Sequence, residues 1–179
     1  SPIWLVHFFI TNMALKDVGS EEWRKTLATT TFVSYFFNLD QGLAEKDRYS
    51  SPYWTKLTDL MGDNKYPSNW LHIYLKDNLL PSAKEASELL QRFNRVKNGV
   101  QVHITLSCFI SRVVFFKSLK DWLAIYKLKR PIGKKLRSCS GYLWPLFKGD
   151  FKESFSGPLS LNYLLYLNLF EKAMNELPV

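Results

Sequence analysis

Three short runs of β-branched, aromatic and aliphatic residues, each followed by a stretch long enough for a helix, constrain this chain more than any other feature. The first, Thr31 to Asn38, is too stiff and bulky to prefer helix, packs well in a sheet, and stops abruptly at Asn38, Leu39 and Asp40. The second, Asn69 to Leu75, is bounded by Pro67 and by Asp77 and Asn78. The third, Val100 to Leu106, alternates Val, Val, Ile and Leu. Connections of this length cross over between strands, so the spacing predicts parallel strands in a helix-covered sheet.

The connecting segments carry their own punctuation. Gly19-Ser20-Glu21-Glu22-Trp23 predicts a helix capped by Ser20 and running to about Leu27. Ser51-Pro52 reads as N-cap and first residue of a helix reaching about Met61. Leu80-Pro81-Ser82 opens an amphipathic helix with Ala83, Ala86, Leu89, Leu90 and Phe93 on one stripe, closed by Asn98-Gly99. A long helix from about Phe109 to Lys129 stops at Arg130-Pro131, residues 132–156 form a basic, aromatic loop, and a last helix runs from Leu159 to about Asn175.

The expectation is therefore one α/β domain of Rossmann-like, three-layer build, with a small parallel sheet of three evident strands flanked by helices and a helical C-terminal extension. It divides into a helical lead-in (1–28), a β-α-β-α-β-α unit (29–130) and a basic loop with C-terminal helix (131–179). The start at Ser1-Pro2, without an initiator Met, reads as a piece of a longer protein. The opening run Ile3 to Ile10 is about half the roughly 20 residues that a transmembrane helix needs. It reads as a core helix, with a membrane-surface helix or the stub of a longer hydrophobic helix as alternatives. Cys108 and Cys139 are not in metal or redox spacing, so both are expected to be reduced and the protein cytosolic.

Charge is concentrated. Arg112 to Lys152 holds 11 Lys and Arg against Asp121 and Asp150, while the remaining sequence has 13 basic and 14 acidic residues. Such a region can meet a nucleic-acid backbone, an anionic membrane surface or a phosphate-bearing substrate, or it can be a solvated helix face with its loop. Lys134, Lys135, Arg137 and Lys148 surround the aromatic run Tyr142-Leu-Trp-Pro-Leu-Phe147 and are the expected membrane or phosphate contacts.

The common catalytic signatures are missing. No glycine-rich dinucleotide or P-loop pattern, no His-Glu-x-x-His, no Gly-x-Ser-x-Gly and no Cys-x-x-Cys occurs. What remains is polar residues at strand ends: Asn38 and Asp40 after the first, Lys76 and Asp77 after the second, Ser107 after the third. In a parallel sheet these share one edge, where open α/β folds bind ligands. Arg48, Tyr53 and Trp54 would overhang it and suit a sugar or phosphate, although Asn and Asp after a strand are also ordinary turn residues. Asp40 and His72 are the catalytic candidates, His72 and His103 being equally readable as core histidines. No metal site is expected.

The succession Phe32-Val-Ser-Tyr-Phe-Phe-Asn-Leu-Asp40, Ser51-Pro-Tyr-Trp54, Asn69-Trp-Leu-His72, Arg92-Phe-Asn94 and His103-Ile-Thr-Leu106 resembles bacterial surface carbohydrate biosynthesis proteins of O-antigen and related clusters. The resemblance runs from about Gly19 to Trp122. It implies a GT-B-like sugar transferase of two Rossmann-like halves, of which this chain is similar to the amino-terminal, acceptor-side one. It further implies a lipid-linked or saccharide acceptor, and a nucleotide-sugar donor bound mainly by a C-terminal half of the same protein. No metal or other cofactor is implied, and the location is cytoplasmic, peripheral to the inner membrane. The fragment alone is expected to be inactive, and no catalytic residue of the family carries over. The alternative is a non-catalytic nucleic-acid-binding domain using the 112–152 region.

Overall fold

The computed structural model describes residues 2–37, 39–63, 66–97, 100–139 and 141–177. Its strands are β1 (Thr31–Phe36), β2 (Ser68–Tyr74) and β3 (Gln101–Thr105). They form one parallel sheet in the order β1-β2-β3, with Thr31 opposite Asn69 and Trp70 opposite His103. Helices α1 (Pro2–Asn12), α2 (Ser20–Lys25), α3 (Gln41–Ala44), α4 (Leu57–Asp63), α5 (Ala83–Lys97), α6 (Arg112–Cys139), α7 (Trp144–Ser156) and α8 (Pro158–Asn175) complete an α/β fold of the expected class. Described residues group into a sheet unit, Thr11–Ile110 with Lys172–Val179, and a helical unit, Ser1–Ile10 with Ser111–Glu171.

In the sheet unit the core lies between one sheet face and α5. Phe36, Tyr49, Trp70, Leu90 and Phe93 are buried together, with Phe32 stacked on Trp70 at 4.6 Å between ring centres. The predicted apolar stripe of α5 is the buried one. Ser82 starts this helix as predicted, its Oγ accepting from the Glu85 N–H at 3.3 Å and donating to the Glu85 carboxylate at 2.8 Å.

In β2 and β3, which are largely buried, backbone groups have little access to water, and asparagine side chains pair some of them here. On β3, the Asn94 amide donates to His103 O at 2.9 Å while its Oδ1 accepts from His103 N–H at 2.7 Å, imitating a further strand. On β2, Asn69 accepts from Thr26 Oγ1 at 2.8 Å and donates to Ala28 O at 3.3 Å, fixing the entry into β1. Gly19 caps α2 with φ +76°, and a Cβ there would lie 3.0 Å from both Asn94 Nδ2 and His103 O. The position thus needs glycine for its backbone and for its space.

Several sequence boundaries are corrected. α2 is capped by Gly19 rather than Ser20, whose hydroxyl donates to Asp17 O, and ends at Lys25. Ser51-Pro52 starts turns rather than a helix, because Thr55 at φ +43° interrupts helical geometry, and α4 begins only at Leu57. Pro131 does not stop α6, which continues to Cys139, and the expected basic loop is largely α7. Proline removes one N–H and frees the carbonyl four residues back, that of Lys127; both residues are exposed, so water can take its place. The predicted stop at Asn98-Gly99 lies outside the described residues.

The helical unit is held by pairs of helices. α1 packs Phe9 edge-on against Phe115 of α6 and Phe8 against Tyr166 of α8. Asn168 of α8 donates to Ser118 Oγ and to Asp121 of α6, each at 3.1 Å. Where α7 crosses α6, Gly133 is buried with the Phe151 ring 3.2 Å from where a Cβ would stand. A Cβ at this position would require the Phe151 ring to shift by a few tenths of an ångström. Among the described residues no helix is long and apolar enough to cross a membrane.

Replacing Asn94 with Ala leaves buried backbone groups of β3 unpaired and should lower unfolding free energy by about 1–3 kcal/mol. Gly19→Ala should cost about as much through backbone strain. Denaturant titration checks both, and wild-type stability in either variant contradicts the edge-capping role.

Candidate functional site: a basic cleft on the helical unit

α6 and α7 enclose a cleft of about 790 Å³ lined by Tyr126, Lys127, Lys129, Arg130, Arg137, Trp144, Lys148, Phe151 and Lys152. Helical spacing explains the convergence. On α6, Tyr126, Arg130, Gly133 and Arg137 recur at i, i+4, i+7 and i+11; on α7, Trp144, Lys148, Phe151 and Lys152 recur at i, i+4, i+7 and i+8. Two faces, each carrying cations, are drawn together over the bare backbone of Gly133.

Six cations line the cleft and no carboxylate does. The rings are occupied internally. Arg137 lies 5.1 Å over Trp144 and Lys129 5.8 Å over Tyr126, while Trp144 abuts Phe147 at 5.7 Å and Phe151 at 5.2 Å. Arg137 is further fixed by donating from Nε to Gly133 O at 3.2 Å, and Lys129 by donating to Ser156 Oγ at 2.7 Å. Like charges around one recess repel one another, and an anion entering it would relieve that repulsion.

Of the four predicted phosphate contacts, Arg137 and Lys148 line the cleft. Lys134 lines a neighbouring recess with Arg130, Pro131 and Ser138, and Lys135 is exposed and lines neither. The sequence reading took in Lys127, Lys129, Arg130 and Lys152 only as part of the basic region 112–152 and did not single them out, although all four line the cleft.

The strand-end residues are dispersed among structural tasks. Asp40 caps α3, its Oδ1 accepting from Leu43 N–H at 2.9 Å, and Asp77 closes a turn by accepting from Leu80 N–H at 2.7 Å. Arg48 pairs with Asp59 at 3.2 Å. Trp54 points inward, its indole N–H donating to Ser34 Oγ at 2.8 Å, whereas Tyr53 is exposed with its ring against Phe37. Lys76 is exposed; Ser107 is buried and donates to Asn12 at 3.2 Å. Asn38 lies outside the described residues. A groove of about 650 Å³ opens beside α3 and α5, lined among others by Gln41, Glu45, Glu88 and Arg95, and by none of the predicted residues.

His72 is a core residue, not an acid–base group open to a ligand. It is 0% exposed, its Nε2 lies 3.2 Å from His103 Nδ1, and the two rings are near parallel with Tyr49 and Phe36 packed against His72. Burial pushes its pKa down to about 3, so it is neutral and one ring donates to the other. Burial likewise pushes the Cys108 thiol up to about 12, leaving it protonated. Among the described residues no group of three or more His, Cys, Asp or Glu is placed to hold a metal ion.

An imidazole that refuses a proton when folded accepts one near pH 6.5 when unfolded. Its contribution is complete above pH 6.5 and is lost progressively as pH falls towards about 3, at about 1.4 kcal/mol per pH unit. Unfolding measured between pH 7 and 4 should show a steeper loss in the wild type than in His72→Gln. Equal slopes contradict a buried neutral His72.

A scan against models of protein families, a search of curated proteins and a search of solved structures each find no match to this chain.

Proposed function

We propose that the chain is the acceptor-side part of a glycosyltransferase-like enzyme of bacterial surface polysaccharide synthesis, as its resemblance to that family implies. In this reading the cleft between α6 and α7 receives the phosphate groups of a lipid-linked acceptor. The observation that carries the phosphate assignment is the set of six cations around one recess without a carboxylate. The donor is a nucleotide sugar held mainly by a second half of the same protein, and the enzyme works in the cytoplasm at the inner membrane. The sheet unit supplies a scaffold, since most of its strand-end polar groups already serve caps, turns and ion pairs.

Nucleic-acid binding by the same region is the competing reading. It needs free aromatic faces for bases to stack on. Tyr126 and Trp144, the tyrosine and tryptophan that line the cleft, each already have a cation over one ring face, which favours the phosphate-centred reading at the cleft itself.

Titration with a short-chain prenyl diphosphate, with the matching prenyl alcohol as control, tests the proposal. Only the diphosphate should bind. Arg137→Ala and Lys148→Ala should each weaken it by about 10-fold or more, the usual loss for a charge-assisted hydrogen bond to phosphate. Equal binding of alcohol and diphosphate, no binding of either, or indifference to both substitutions overturns it.

A further inference from the structure

The two outer edges of the sheet are finished differently. The parallel ladder fixes which backbone groups face each way. Asn69 N–H donates to Thr30 O at 2.9 Å while Thr31 stands opposite Asn69, so Thr30, Phe32, Ser34 and Phe36 turn their backbone groups to β2. Thr31, Val33 and Tyr35 therefore turn theirs outward. On β3 the outward-facing His103 has both groups taken by Asn94. Among the described residues nothing does this for β1: the backbone groups of Thr31 and Val33 have no partner beyond β2, and Tyr35 O receives only a long 3.4 Å contact from Ser34 Oγ. Edge strands are usually blunted by charge, proline or a covering element. From Thr26 to Leu39 the chain has no charged residue, proline or glycine, and Val33 and Tyr35 are 41% and 47% exposed.

We propose that β1 is the pairing edge of a two-fold homodimer, in which the β1 strands of two copies run antiparallel and join two three-stranded sheets into one. The outward-facing set selects the occupant, because it is its own complement. Centred on Val33, antiparallel pairing sets Thr31 against Tyr35 of the second copy, Val33 against Val33 and Tyr35 against Thr31. In each pair both outward N–H groups meet an outward carbonyl. The side chains of these residues then stand together on the sheet face away from α5, as β-branched and aromatic cross-strand pairs. Charge points the same way: each copy carries a formal +8, and an uncharged segment lets two copies meet without setting like charges together. An extended segment of a different protein can also add to a sheet edge, but nothing in that mode requires the symmetry seen here. The inference stands apart from the phosphate reading of the cleft, since β1 belongs to the sheet unit.

Sedimentation equilibrium of the full chain over a concentration series tests it. The wild type should show a reversible monomer–dimer equilibrium. Val33→Pro removes an N–H that β2 does not use, and Val33→Lys sets two like charges together at the two-fold axis. Each should weaken dimerisation by about 10-fold or more while leaving the circular dichroism spectrum unchanged. Disulfide trapping reads the register, with the exposed Cys139 replaced by Ser. A hydrogen-bonded antiparallel pair has its Cα atoms about 5.5 Å apart, so Val33→Cys should cross-link to its own copy on oxidation. Tyr35→Cys should not, because the two Tyr35 positions are offset by about 14 Å along the paired strands. A wild type that stays monomeric, a dimer indifferent to both Val33 substitutions, or cross-linking at Tyr35 in place of Val33 overturns the proposal.

Discussion

Asparagine side chains hold the junctions on which both units depend. β3 is buried along its whole length, so the backbone groups on its outer edge must find partners inside the protein. Asn94 closes the outer edge of β3 with both halves of its amide, and Asn69 ties β2 to the chain entering β1. In the helical unit Asn168 bridges α8 to Ser118 and Asp121 of α6. Each replaces a hydrogen bond that water would otherwise make. The His72 and His103 rings meet on the same sheet face, Nε2 of the neutral His72 lying 3.2 Å from His103 Nδ1.

With most strand-end groups committed to caps, turns and ion pairs, the proposed binding site lies on the helices. The decisive contact there is steric: Gly133 lets the Phe151 ring lie on the α6 backbone, and α7 follows it inward. Six cations then share one recess, an arrangement that opposes folding by repulsion and gains its return only when an anion is present. Stacking of Arg137 on Trp144 and anchoring of Lys129 to Ser156 hold two of these cations before any ligand arrives. Binding to a preordered site loses less side-chain entropy.

Much of the fold was legible in the residues. All three strands lie where short β-branched and aromatic runs sit between breakers, and α5 matches its stripe from Ala83 to Phe93, because burial imposes period on sequence. Misreadings came where tertiary context overrode local preference. Pro131 lies inside α6, where exposure lets water compensate the lost hydrogen bond, and Ser51-Pro52 fails to start a helix because Thr55 turns the chain the other way. The strand-end residues were placed in sequence but not in role. Whether Asp40 caps a helix or faces a ligand depends on the Leu43 amide that reaches it, and composition does not encode that contact. The cleft was half legible. Arg137 and Lys148 were named from charge around an aromatic run, and the remaining cleft cations lay within the basic region 112–152 without being singled out.

The central claim is that the α6–α7 cleft is where this chain meets phosphate. Mapping backbone amide shifts by NMR during titration with inorganic pyrophosphate tests it most directly. The account predicts perturbations clustered on Lys127, Arg130, Gly133, Arg137, Lys148 and Lys152, saturating together. Perturbations centred on the groove between α3 and α5, or spread evenly over surface lysines, would contradict it.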